Sequence, residues 1–335
     1  MRNFAYAVAA RPEDAFAASD DETMPIAGGT ELLNWMRLGI AAPAKLVDIG
    51  RLEGLDRIER VDGRLEIGAL ATLNRIGEDP AVREHAAVLS QAALAAASAQ
   101  VRNRATIGGN VLQKTRCAYF RAEAPLPWPC NKRAPGTGCA ALDGANERLA
   151  IFGWTDACVA TQPSDPVVAL AALDAEVELL GPSGRRVLPV AEFHLTQEDA
   201  AAAGRDPARA ETRLERGEVI LAYRVPIRDG MRSAYVKVRE RASYEYALVS
   251  AAAALDLDGG RIARASVVLG SVAQKPWHLA EAEARLIGQP PTREAALPIL
   301  KAALAAARPL SRNGYKVTMA AGAAARAIAL AGGEA

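Results

Sequence analysis

Several things are scarce in this chain. No apolar run approaches the ~18 to 20 residues that a bilayer span requires. Charge of one sign is also missing: 40 Lys and Arg face 39 Asp and Glu, for a net charge of +1. That balance leaves no electrostatic footprint for nucleic acid or an anionic membrane surface. The N-terminus, MRNFAYAVAARPEDAFAASDDE, carries acids within its first twenty residues and has neither an apolar core segment nor a twin-Arg pair. It does not read as an export signal, so the chain by itself is expected in the cytoplasm. There is no G-x-G-x-x-G and no P-loop, which argues against a nicotinamide-binding Rossmann domain or an NTPase. No internal repeat is present. The three histidines, His85, His194 and His278, are scattered and read as ordinary core or surface side chains.

Cysteine is scarce too, but its placement is informative. All four, Cys117, Cys130, Cys139 and Cys158, fall inside one 42-residue window. A disulfide framework is normally denser and sits in a smaller exported domain. Clustering in one segment favours a metal site. The spacing is C-x12-C-x8-C-x18-C, without a C-x2-C knuckle. On chemistry alone an iron–sulfur cluster and an all-cysteine zinc site are equally compatible with it. Two disulfides or four unligated thiols are the remaining readings.

At 335 residues the chain exceeds a usual single core, so two or three domains are expected. The first fifty residues alternate strand and helix: FAYAVAA, a helix opening at Pro12 in RPEDAFAAS, the strand MPIAGG, a helix in TELLNWMRLG, and the strand KLVDIG. The second helix is expected to start at a Thr30 cap and end at Gly39, with Leu33 and Met36 facing a core and Leu32 beside them. RLEIGAL is an alternating strand, followed by a second Thr-capped helix and an Ala-rich helical stretch to about residue 103. ATIGGNVLQKTR reads as a strand-like stretch around two glycines. From about 113 to 162 no period persists, and Pro, Gly, Cys and Asn are frequent. A loop this long is usually functional or metal-stapled. A helix and hairpin follow from 164 to 190, then a charged segment to 218 that reads as helix or exposed loop, then the strand GEVILAYRVPI. From about 230 the order is three strands, with D-G-G as a hairpin turn, and then three amphipathic helices, as in an α+β domain.

Two glycine-rich stretches, AGGTEL (27–32) and ATIGGN (105–110), let backbone N–H groups converge on a phosphate. Each alone is an ordinary turn signal. Together, PIAGGTELL, QVRNRATIGGN, the later PSD and K-V-R-E-R-A resemble, in order over about 330 residues, the FAD-binding subunit of the xanthine dehydrogenase and carbon monoxide dehydrogenase family. The resemblance implies an α+β fold with a two-part FAD-binding region, 1–55 and 56–226, and a C-terminal α+β domain, 227–335. It puts the FAD pyrophosphate on Ala27, Gly28, Gly29, Thr30, Glu31 and Leu32, with Thr106, Gly109 and Asn110 as a second wall. Ser164 and Asp165 match the cofactor's ribityl or ribose side, and Val219 and Ile220 match a strand pair against the flavin. Lys237 matches a lysine near the isoalloxazine, where a cation stabilises the anionic reduced ring.

Ordinary members pass from the GGN segment to the Asp through a short loop, whereas this chain carries a long insertion at about 113–162. RCAYFR, PCNKRAPGTGC, CVATQPSD and RASYEYALVS are similar to the bacterial molybdenum aldehyde oxidoreductase subgroup, whose insertion holds a [4Fe–4S] cluster. The resemblance therefore makes Cys117, Cys130, Cys139 and Cys158 cluster ligands. EAPLPW before Cys130 departs from the subgroup and is expected to change loop shape without removing a ligand. The implied role is electron transfer from a large molybdenum-cofactor subunit and a small [2Fe–2S] subunit, through FAD, to an external acceptor. Two rivals stand beside it: the FAD subunit of a 4-hydroxybenzoyl-CoA-reductase-like complex, and a zinc-stapled scaffold without redox function. A twin-Arg signal on a partner would carry the folded complex to the periplasm.

Overall fold

The structure is a computed structural model that describes residues 2–15 and 22–334. Three sheets occupy three successive stretches of chain. The first is all-parallel, with strands β1 (Ala5–Val8), β2 (Thr23–Ile26) and β3 (Lys45–Asp48) in the order β1-β3-β2. Pro12–Ala15 is a short 3-10 turn, and the rest of the helix expected there lies outside the described residues. The second sheet is antiparallel, from β4 (Ile58–Val61), β5 (Arg64–Gly68), β6 (Glu176–Gly181), β7 (Gly184–Pro189) and β8 (Val219–Pro226), in the order β4-β5-β8-β6-β7. The third is β9 (Arg232–Val238), β10 (Val249–Asp258), β11 (Arg261–Gly270) and the two-residue β12 (Trp277–His278), antiparallel in reverse chain order.

The third sheet is the shared wall of the molecule. In β10 the run VSAAAAL is buried on both faces, as its small side chains allow. Ala251, Ala253 and Leu255 enter a core with the C-terminal helix Tyr315–Gly332, while Ala252 and Ala254 enter the core of the FAD-region candidates on the other side. That second core holds the Ala-rich helix Ala87–Ala95, the helix Asp165–Ala172, and the inward residues Leu65, Ile67, Val177, Tyr223 and Val225 of the second sheet. Alanine at each layer lets helix and strand approach closely, so two cores form on one four-stranded sheet. None of the helices among the described residues is long and apolar enough to cross a membrane.

Three local expectations change. ATIGGN is helical, not strand-like: Thr106 caps Ile107–Val111 by accepting from the Gly109 amide, so the glycines lie inside a short helix. The helix at 32–37 is preceded by Glu31 and not by a Thr30 side-chain cap; Glu31 is already in helical conformation. Met36 and Leu32 are buried as expected, while Leu33 is exposed and Trp35 is buried with them. Strand β4 was not anticipated; it pairs with β5 through an Asp62-Gly63 turn in which both residues have positive φ.

The segment 113–162 is irregular as expected and docks on the C-terminal region through main-chain partners. Ile151 and Phe152 amides donate to the Val272 carbonyl, and Phe152 stacks on Trp277 with centroids 4.9 Å apart. The buried Lys316 ammonium donates to the carbonyls of Ser271 (2.6 Å), Leu149 (2.8 Å) and Arg148 (3.3 Å). Burial pushes its pKa down to about 7, and the three carbonyls oppose that by occupying its three N–H groups. Asn313 Nδ2 adds bonds to Leu149 and Ala150. Lys316→Met is expected to leave three buried carbonyls short of a donor and to lower unfolding stability by about 3 kcal/mol, read by urea denaturation. An unchanged midpoint and slope would show that the contact is not a structural clamp.

Candidate functional site

The two glycine segments meet in space. A Cβ on Gly28 would stand 1.9 Å from the Arg104 carbonyl oxygen, so the first segment presses directly on the residues that lead into Thr106. Gly29 has φ +71°, the left-handed region that a side chain disfavours. Amides of Ile107 and Gly108 bond back to Ala71 and Ala69, which stitches the second segment to the end of β5. Between the segments opens a cavity of about 500 Å³, within the range of cofactor pockets.

Ten of the residues singled out in the sequence line it: Ala27, Gly28, Gly29, Thr30, Glu31, Leu32, Thr106, Gly109, Val219 and Ile220. The other four, Asn110, Ser164, Asp165 and Lys237, are not in that lining. Ser164 Oγ donates to Asn110 Oδ1 at 2.6 Å and also caps the helix Asp165–Ala172. Asp165 and Lys237 bond to each other at 2.8 Å, both about 95 % buried, and Tyr235 OH donates to Asp165 at 2.6 Å. Lys237 also donates to the Ala95 carbonyl at 3.1 Å. Burial and the neighbouring carboxylate hold the Tyr235 phenol well above its ordinary pKa, so it stays a donor. Sequence reading missed Trp35 and the stretch Leu214–Glu218, which also line the cavity. TELLNWMRLG was read by its leucines and methionine alone, and LERGE carries no cofactor signature.

The four cysteines share a second, much smaller cavity of about 10 Å³. All four are unpaired thiols, three of them buried. Its lining contains those four sulfurs and Lys132, and no carboxylate or imidazole. Among the described residues no three Cys, His, Asp or Glu side chains are arranged to share one metal ion. Cys130 and Cys139 face each other across an antiparallel bridge, which Asn131 ties through Gly138 and Ala157. Burial pushes the Cys117 thiol up to about 11 and the Cys158 thiol up to about 12, against amides of Tyr119, Phe120 and Ala160 directed at the sulfurs. Without a ligand these thiols are neutral at pH 7; a metal must displace their protons. Trp128 of EAPLPW packs edge-on to Tyr119 and donates to its carbonyl at 3.0 Å, so that loop props the segment from outside.

Two carboxylates join the cavities. Glu31, in the lining of the larger one, receives Trp35 Nε1 at 2.9 Å and the guanidinium groups of Arg116 and Arg121, which flank Cys117. These cations hold its carboxyl below the usual range despite burial. Arg116 also lies over the Tyr246 ring at 4.1 Å, and its buried Nε has no partner among the described residues. Glu211 bridges Lys114 and Lys132, each at 2.7 Å. His194, neutral because burial pulls its pKa to about 4, meets Gln162 and the Val111 carbonyl.

Residues 2–228 match the family model of the FAD binding domain in molybdopterin dehydrogenase, and residues 234–331 match that of the CO dehydrogenase flavoprotein C-terminal domain. The chain is 42% identical over 327 residues to the aldehyde oxidoreductase FAD-binding subunit PaoB of Escherichia coli, covering 96% of this chain and 95% of that one. It is 27% identical to the glyceraldehyde dehydrogenase medium chain of Sulfolobus acidocaldarius over 85% of this chain and 82% of the other. Among solved structures, a carbon monoxide dehydrogenase chain from Hydrogenophaga pseudoflava superposes with a TM-score of 0.74 at 27% identity, covering 98% of this chain and 96% of that one.

Two outcomes follow from this geometry. Gly28→Ala forces the two glycine segments apart, so the protein should purify with less than a tenth of the wild-type flavin absorbance; full flavin content would show the contact to be dispensable. Glu211 gives a pH dependence. Its lysines lower its folded pKa from 4.5 to about 2. Its stabilising contribution is therefore complete above about 4.5 and is lost as pH falls towards 2. Between pH 5 and 3, stability measured by denaturant should fall less steeply in Glu211→Gln than in wild type; identical slopes would contradict the assignment.

Proposed function

The chain belongs to the FAD-binding subunits of the molybdopterin dehydrogenase family, and from that premise we propose that it is the FAD- and [4Fe–4S]-containing electron-transfer subunit of an aldehyde oxidoreductase. The observation that carries the FAD part is the 500 Å³ cavity between two glycine segments that nearly touch at Gly28. Backbone from Ala27 to Leu32, with Thr106 and Gly109 opposite, would hold the pyrophosphate; Val219 and Ile220 would lie along the ring. Asn110, Ser164, Asp165 and Lys237 would fix the position of that wall and the charge behind it. FAD, when bound, accepts electrons and passes them to an external acceptor. The residues that hold it exclude water from it and supply fixed dipoles and charges around it.

The cluster part rests on the donor set. Four thiols, with no competing carboxylate or imidazole, line one cavity in a loop whose Pro and Gly let the backbone turn around a bulky group. Amides directed at Cys117 and Cys158 sulfurs would stabilise thiolates, as cluster sites require. In this reading the chain is organised as 1–55, 56–226 with the cluster insertion, and 227–335. It works beside a large molybdenum-cofactor subunit and a small [2Fe–2S] subunit, a reading supported by relatives named as a FAD-binding subunit and a medium chain. The two family models that match are a FAD binding domain and a flavoprotein C-terminal domain, so aldehyde chemistry is assigned to the partner.

Metal content tests the reading. The purified chain should carry roughly four irons and negligible zinc, with a reducible cluster signal by EPR. Replacing any of Cys117, Cys130, Cys139 or Cys158 by Ser should remove most of the iron. Because Arg116 and Arg121 connect this segment to Glu31, flavin content should fall as well. One zinc per chain and no iron would assign the site to a structural zinc class instead.

A further inference from the structure

Each carboxylate beside the cysteine cavity is outnumbered. Glu31 meets two guanidinium groups and Glu211 meets two ammonium groups. Buried charge is normally paired one for one, because an unpaired ion inside a protein is costly. The surplus here is positive; Lys114 and Arg116 reach solvent, with side chains 33 % and 26 % exposed, whereas Lys132 does not.

Lys132 is the cation set deepest into this arrangement. Its side chain is 4 % exposed and lines the same cavity as the four sulfurs. Its Nζ is fixed by Glu211 Oε1 at 2.7 Å and by the Ala208 carbonyl at 2.6 Å, so the charge cannot swing away. The other oxygen of Glu211 binds Lys114, whose ammonium lies 5.5 Å from the ring centre of Trp35 in the flavin-cavity lining. We propose that Lys132, held by Glu211, is the fixed counter-charge of the cysteine-bound cluster and raises its reduction potential. The inference rests on the cluster reading above.

The physical reason is electrostatic. A cubane held by four thiolates is anionic, and reduction adds one electron from an external donor without making or breaking a bond. A cation in a water-poor site stabilises the more negative form more strongly. Glu211 opposes it and is itself tempered by Lys114. Lys132 is thus a positioning residue that acts through charge, not a group that reacts.

Potentiometric EPR titration of the full-length, iron- and flavin-loaded chain tests this. In Lys132→Gln the reduced-to-oxidised ratio at the wild-type midpoint should fall about tenfold, a shift of ~59 mV for one electron. Lys132→Arg should restore the wild-type midpoint, and Glu211→Gln should raise it. Full iron in Lys132→Gln with an unmoved midpoint overturns the inference and leaves the cluster reading intact. Should Lys132→Gln lose its iron, Glu211→Gln decides: an upward shift supports the inference and no shift overturns it. An iron-free wild type sinks the cluster reading first, and this inference with it.

Discussion

The Arg104 carbonyl occupies the place where residue 28 would have a side chain. That one exclusion sets much of what surrounds it. It brings the end of β2 against the residues that enter the helix Ile107–Val111, although the first sheet is parallel and the second antiparallel. The loop after β2 and the turn before the helix Ile107–Val111 thereby meet at a backbone contact, beside which Ala15, Ile49 and Leu55 pack on Leu180, Val219 and Leu221. The cavity is what remains on the open side of that contact. Backbone of the two glycine segments forms one side of it, and apolar side chains such as Trp35, Leu55, Leu70 and Ile220 form the rest, which suits a large ligand with a charged part and an apolar part.

Charge does at the second site what close packing does at the first. The segment 113–162 has little apolar area of its own: its small core comprises Cys117, Phe120, Cys130, Ala141, Leu149 and Val159. It is held from three directions by polar contacts that are buried or partly so. Glu31 grips it from the flavin side, Glu211 from the region after the second hairpin, and Lys316 with Asn313 from the C-terminal helix. Such contacts are directional, so the segment has one placement. They also lose most when one partner is removed, because the other stays buried without it.

Much of this was legible beforehand. Strand alternation marked β5, GEVILAYRVPI read as the strand that is β8, and D-G-G marked the β10–β11 hairpin. The errors have a common source. ATIGGN looked extended because isoleucine and threonine favour strands and glycine disfavours helices; the Thr106 cap and the contacts to Ala69 and Ala71 outweigh that preference over five residues. Leu33 looked like core by hydrophobicity, yet Trp35 takes the inward position because its indole can reach Glu31. Glu211, Lys114 and Lys132 were invisible for a different reason. Their significance lies in meeting one another across 97 and 79 residues of chain, and single charged residues in loops carry no mark of that.

The ends of the segment 113–162 are tied to each other and to the helices on either side of it. Gln162 Nε2 donates to the Val111 carbonyl at 3.1 Å, and its Oε1 accepts from the Ser164 amide at 2.8 Å. Ser164 in turn reaches Asn110 at 2.6 Å. Chain leaving the GGN helix and chain entering the helix Asp165–Ala172 are therefore pinned together as they would be by a short loop. Closing a longer loop between fixed ends adds only a logarithmic entropy cost, so a fifty-residue excursion can be accommodated without moving either helix. The excursion carries the four cysteines and is anchored on Glu31, a residue that lines the larger cavity. The two sites are separate in sequence and in lining, and two carboxylates, Glu31 and Glu211, connect them through arginine and lysine side chains.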